Sequence, residues 1–442
     1  MTYMRSQRPG SRKWTPARYR AVLRSRGPKS VRFRTRLAIL LGAVVIGLAA
    51  TVFALAADAA GAMFERYAGR YPYAPLLTTP LIFAALVWIT RRYVPLARGS
   101  GIPQVIAAQQ DPEAATRSLV SIRTVTGKAL LTLVAVLAGA SVGREGPTVQ
   151  IAAAVMGLSH RMLRVPLRGA VLIAGGAAGV AAAFNTPLAG LLFAIEELAS
   201  AYEQRVTLLV IAAIVIAGMV AQSVQGDYVY FGSIGANMGL GSALLVVAAA
   251  GLIGGLAGGA FSRMMLALAV GSHAFTRWSK SRPVLFAALC GLVVSVLGCV
   301  TGLTWGTGYG AARAMITGVD APLWYGPAKF VTTLATAVAG LPGGIFAPSL
   351  SVGAGIGNIL RSVFPDSPAS AVVILGMVGY FAGAVRAPLT AVIILSETTA
   401  SRGLMLPMFA TAFLADGVSA LVCREKLYHG LSKTFAVRAA SQ

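Results

Sequence analysis

The sequence predicts an all-α polytopic membrane protein, and three observations carry that prediction. Of its 442 residues, 56% are hydrophobic and only 12% charged, with a mean hydropathy of +0.73, far from the usual soluble mixture. Apolar runs approaching the ~20 residues that cross a bilayer recur along most of the chain. Several runs are broken by glycine and proline at membrane depth, where irregular backbone survives only when protein covers it or it lines a cavity.

The net charge of +24 is concentrated at the start. Residues 1–36 hold a dozen Lys and Arg, from Arg5 to Arg36, and no acid. Such a stretch reads as a cytoplasmic tail that sets topology and touches anionic lipid. A nucleic-acid arm is the other reading of a polybasic run, but the composition is non-specific, and no nucleic-acid partner is expected. Leu37–Ala57 is the first span, and Asp58, Glu65 and Arg66 mark a short polar connection beyond it. Pro75–Thr90 returns and ends in Arg91, Arg92 and Arg98, which puts both basic clusters on the cytoplasmic side.

Gly99-Ser100-Gly101-Ile102-Pro103 then precedes a short apolar run. Ser100 either caps that helix through its hydroxyl or turns the hydroxyl towards a dehydrated anion. Within the stretch Thr124–Ala140 lies Lys128, an ammonium that either snorkels to the interface or sets a fixed positive potential along an anion path. Gly143-Arg144-Glu145-Gly146-Pro147 follows. An intramembrane acid is costly unless paired, wet or able to change protonation, and Pro147 suits the first turn of a new helix. The N-terminus of that helix is a ready anion site, with Glu145 as a tethered anion beside it. After the Gly/Ala-rich run Val171–Ala183, Phe184-Asn185-Thr186-Pro187 breaks the chain again, and Leu188–Ile195 ends in Glu196 and Glu197. With Glu203 and Arg205 close behind, those two acids read by themselves as a solvated helix end.

An internal repeat organises the rest. One offset of 201 residues takes Pro147 to Pro348, Pro187 to Pro388, Glu196 to Glu397, Gly143 to Gly344 and Gly175 to Gly376. Gly344-Ile345-Phe346-Ala347-Pro348 is therefore the counterpart of the first broken-helix motif. Transporters built from two repeats place the substrate between such discontinuous helices; the offset fits parallel and inverted halves alike. The expected organisation is a tail over 1–36 and a transmembrane domain over 37–442. Its repeats span about 37–225 and about 240–421, and a C-terminal helix carries Tyr428. Tyr428 is either an interfacial anchor or a hydroxyl donor to an anion. Gly251, Gly254, Gly255, Gly258 and Gly259 lie on small-residue spacing suited to close helix packing.

Enzyme chemistry finds little footing. Cys290, Cys299 and Cys423 have no paired spacing, the three histidines are scattered, and neither a metal site nor a cofactor is expected. An intramembrane hydrolase would need a Ser/His pair or a pair of intramembrane Asp, and no convincing one stands out.

The four stretches around Ser100, Glu145, Phe346 and Tyr428, in that order and spacing, resemble the signatures of the CLC chloride channel and transporter family. The resemblance covers roughly residues 37–438. It implies a bacterial-type member without the cytoplasmic CBS pair, with two inverted helical repeats, working as a homodimer in the bacterial inner membrane with its N-terminus cytoplasmic. It further implies chloride, or nitrate or bromide, held by the hydroxyls of Ser100 and Tyr428 and by the backbone N–H of Ile345 and Phe346. Glu145 matches the family's gating glutamate and external proton acceptor, and Glu197 the internal proton-transfer glutamate of its exchangers. Arg144 and Lys128 match positions of electrostatic or structural use. The expected function is proton-coupled anion antiport, with a passive gated chloride channel as the alternative.

Overall fold

The computed structural model describes residues 28–198, 207–226, 229–232, 234–235, 238, 240–401 and 403–439. Most of the basic tail, Glu203 and Arg205 lie outside them. The first half runs α1 (Pro28–Arg70), α2 (Pro75–Tyr93), α3 (Ile102–Ala108), α4 (Pro112–Ala115), α5 (Ile122–Leu137), α6 (Glu145–Met162), α7 (Gly169–Phe184), α8 (Pro187–Phe193) and α9 (Thr207–Gln225). A single π turn, Ala194–Leu198, extends α8. The second half runs α10 (Leu240–Val270), α11 (Ala274–Ser281), α12 (Pro283–Thr301), α13 (Tyr309–Ile316), α14 (Tyr325–Ala339), α15 (Phe346–Val363), α16 (Ala369–Val385), α17 (Pro388–Thr399) and α18 (Met405–Val422). A last helix, α19 (Leu427–Ala439), follows. Five helices among the described residues are long and apolar enough to cross a membrane, and α7, α16 and α17 are shorter apolar helices.

Proline opens α2, α8, α12 and α17, where its missing N–H costs nothing. No proline stands between Asp58 and Arg66, and α1 runs straight through the polar connection expected there. Its 43 residues make a rod of about 64 Å at 1.5 Å per residue, so both polar ends rise clear of a ~30 Å hydrocarbon core.

The two halves repeat each other in detail. Helices α6 and α15 begin 201 residues apart, at Glu145 and Phe346. Helices α7 and α16 end in left-handed residues 201 apart, Asn185 (φ 58°) and Arg386 (φ 61°). That conformation is costly for a side chain as large as arginine; Arg386 is held there by Asp416 Oδ1 at 3.0 Å and by the carbonyl of Arg424 at 3.1 Å. Packing is duplicated too: α6 lies on α7 as α15 on α16, α9 on α7 as α18 on α16, and α1 on α9 as α10 on α18. Small residues allow the tightest of these contacts, since a methyl on Gly254 or Gly258 of α10 would stand 2.4 Å from the α16 backbone.

Candidate functional site

Two isolated backbone bridges hold the broken segments together. Gly143 and Gly344 pair antiparallel, each N–H donating to the other's carbonyl at 2.7 Å. Gly99 pairs parallel with Pro342. The first bridge brings the N-termini of α6 and α15 face to face, so the partial positive ends of two helices share one locus. Two residues related by the 201 offset meet antiparallel, as a local two-fold axis between the halves requires.

Glu145 is the first residue of α6 and only 1% exposed. Backbone N–H groups of Glu145 itself and of Ala347 face its carboxylate, and Oε2 has no hydrogen-bond partner. Arg144 turns away from the locus: its Nη1 donates to Ala54 O at 2.7 Å and meets Asp58 Oδ2 at 2.6 Å. The guanidinium thus ties the motif to α1.

Ser100 does not cap α3. Gly101 occupies that cap without a side-chain bond, and the buried Ser100 hydroxyl has no hydrogen-bond partner. Gly99 (φ 67°) and Gly101 (φ 114°) supply the left-handed turns on either side of it. Lys128 does not snorkel either: fully buried, it donates to Gly99 O at 2.8 Å and so fixes the Ser100 loop. Tyr428, in the first turn of α19, is fully buried rather than interfacial; its unpartnered hydroxyl faces Ser100. Phe346 begins α15 with its ring packed among those of Phe184, Phe193, Phe381 and Tyr428.

A cavity of about 200 Å³ is lined by Ser100, Ile345 and Tyr428, with Arg98 and Lys280 among its other residues. A second, of about 650 Å³, is lined by Glu145, Arg144, Asp58, Trp305 and Tyr309. Pro283 and Phe286 at one end of α12 border the first, and Gly302 just past the other end borders the second. A helix of 19 residues spans about 28 Å, so the cavities open on opposite faces. Val142 touches both, leaving the Val142–Glu145 stretch as the partition.

Glu196 and Glu197 are not a solvated helix end. Glu196 caps α17, accepting from Leu389 N at 2.9 Å and from Thr390 N and Oγ1 at 2.6 Å. Its counterpart Glu397 caps α8, accepting from Leu188 N at 3.3 Å and Ala189 N at 2.9 Å. Glu197, on the π turn, is fully buried with no hydrogen bond to either carboxylate oxygen; His429 Nδ1 stands 3.3 Å from Oε1. Neither Glu197 nor Lys128 lines either cavity.

Three groups escaped sequence reasoning. Lys329 is fully buried and donates to Thr304 O at 2.9 Å and Gly306 O at 2.7 Å. The 201 offset pointed to it from Lys128. Lys128 ties down a loop of one cavity and Lys329 a loop of the other. Ala347 N–H and His429 left no comparable signal.

A polytopic helical fold of inverted repeats, with broken helices meeting between two cavities, defines an integral membrane protein. The sequence model of the family described as voltage gated chloride channel matches residues 81–420, and the chain belongs to that family. Among solved structures it is similar to a slow cyanobacterial Cl⁻/H⁺ antiporter, with a TM-score of 0.78 and 22% identity over 92% of this chain and 99% of that one. A CLC-type fluoride/proton antiporter gives a TM-score of 0.75 and 22% identity over 93% and 98%. A eukaryotic CLC transporter gives 0.72 and 21% over 91% and 75%. The TM-scores establish the shared fold.

Proposed function

We propose that this chain exchanges chloride for protons, with Glu145 and the anion competing for one seat between opposed helix N-termini. One observation carries it: a buried carboxylate with a free oxygen stands at the partition between two cavities, against backbone N–H groups that would serve an anion equally well. An anion leaving water must recover its hydration from fixed dipoles without being held too tightly to leave. The hydroxyls of Ser100 and Tyr428 and the N–H groups of Ile345 and Phe346 provide those dipoles, and no lysine or arginine is expected to ligate the ion. Deprotonated Glu145 fills the seat; protonated Glu145 vacates it to chloride, so the two ions move in alternation. Glu197 passes the proton to the other face. Nitrate and bromide are expected to follow chloride.

The protein is expected to work as a homodimer in a bacterial plasma membrane, with its N-terminus cytoplasmic and its repeats bounded near 37–225 and 240–421. Simultaneous recording of chloride and pH in proteoliposomes tests the central claim. Proton uptake driven by a chloride gradient supports it. Chloride flux whose reversal potential ignores the proton gradient identifies a passive channel instead.

A further inference from the structure

Glu197 is the one titratable member of the proposed machinery that touches neither cavity. It is fully buried on the π turn of α8, so a proton reaching it must come through another side chain or an intervening water. The groups around it narrow the choice. Glu196 is committed to the start of α17 by three hydrogen bonds, two from backbone N–H and one from the Thr390 hydroxyl. Lys426 turns its ammonium to Glu196 O at 3.4 Å, and Lys433 pairs with Glu425. His429 remains, with Nδ1 3.3 Å from Glu197 Oε1 and a side chain 38% exposed against 0% for Glu197. It is the only side chain among the described residues that both meets Glu197 at ion-pair distance and reaches solvent.

The helix geometry separates the two ions at consecutive residues. Leu427, Tyr428, Leu431, Thr434 and Phe435 line the anion cavity, a stripe at helical spacing on one face of α19. His429 is turned about 100° from Tyr428, off that stripe and towards the π turn. Imidazole is also the side chain that ordinarily exchanges protons between pH 5 and 8, whereas neighbouring ammonium groups hold theirs.

We propose that His429 is the proton relay between solvent and Glu197, which rests on the Glu197 role given above. In the transfer, the Nδ1–H bond of the imidazolium breaks as an O–H bond forms on Glu197 Oε1. The neutral imidazole, left with its hydrogen on Nε2, turns to bring Nδ1 to solvent, where it takes a proton from hydronium or a buffer acid and leaves water or the conjugate base; the reverse sequence releases one. No oxidant or further reactant is involved. Anion and proton therefore part company between Tyr428 and His429.

The test uses the full chain in proteoliposomes, with chloride and proton turnover recorded together for the parent, His429→Gln, His429→Arg and Glu197→Gln. Both His429 variants are expected to lose proton turnover by about tenfold or more, the scale of a misplaced proton-transfer group. Added imidazole should restore it, while an equal capacity of a bulky buffer should not. Arginine keeps a cation against Glu197 yet holds its proton, so normal turnover in His429→Arg assigns the site to ion pairing and overturns the relay. Unchanged proton turnover in His429→Gln, or a loss that imidazole leaves unmended, overturns it as well. Should the glutamine variant not fold, the arginine variant decides alone. Glu197→Gln separates the two claims: intact proton transport there defeats the Glu197 assignment itself, whereas its loss beside a normal His429→Gln defeats only the relay.

Discussion

Gly143→Ala tests whether Glu145 and the anion share a seat, without replacing any titratable residue. A methyl at Gly143 would stand 2.1 Å from Glu145 Oε2, with Glu145 Cδ at 3.2 Å and Pro348 Cδ at 3.3 Å. The first contact is roughly an ångström inside the closest approach carbon and oxygen tolerate, so the carboxylate must swing away. The other two need only a few tenths of an ångström. Gly143 lies outside the left-handed region and its two bonds to Gly344 involve backbone alone, so the bridge persists. Oε2 has no hydrogen bond to lose, and the N–H groups of Glu145 and Ala347 that the carboxylate leaves pass to the anion or water that takes its place. The cost to folding is therefore that of modest overpacking, about 1–3 kcal/mol, and the protein should remain monodisperse in detergent. Transport should change far more: with the seat vacated, anion flux continues or rises while protons moved per chloride fall at least severalfold. Paired chloride-electrode and pH-electrode traces from the same vesicles give that ratio. A folded Gly143→Ala protein with the parent's ratio would refute the competition.

Glu145→Gln, a mimic of permanent protonation, should abolish proton movement while chloride flux persists, as read by the same electrodes. Glu197→Val should also uncouple the ions; sustained proton pumping would contradict its role. Lys329→Met strands the carbonyls of Thr304 and Gly306, whereas Lys128→Met leaves the Gly99 carbonyl still accepting from Gly343 N–H at 3.1 Å. Thermal unfolding in detergent should show losses of about 3 kcal/mol or more for the former and about 1–2 for the latter, and the reverse order would count against the clamp. Deleting residues 1–27 should leave anion turnover unchanged; a collapse in turnover would give the basic tail a part in transport.

The elements legible in the sequence were those where backbone geometry restricts the residue type. Gly143, Gly344, Pro187 and Pro388 announce breaks because few other residues can stand there, and their constant spacing exposed the duplication before any fold was known. Ser100 and Tyr428 were ambiguous as isolated hydroxyls, since a cap and an anion ligand use the same chemistry. Only their burial without partners distinguishes them. Glu196 and Glu197 misled because acids closing an apolar run usually meet water, and the helix start that Glu196 seals lies in the opposite repeat, 193 residues away. Lys329 was within reach of the offset and overlooked. His429 belongs to α19, which follows the second repeat, so no symmetry could flag it.

The exchange between Glu196 and Glu397 bears on how such a chain could arise and how it assembles. Each half offers an acid that only the other half's helix start can satisfy. Until the second half is in place, Glu196 lacks the α17 backbone that it caps. The same handclasp would close between two separate copies of one ancestral half inserted in opposite senses, so fusion into one polypeptide would have secured a pairing that the local chemistry already dictated.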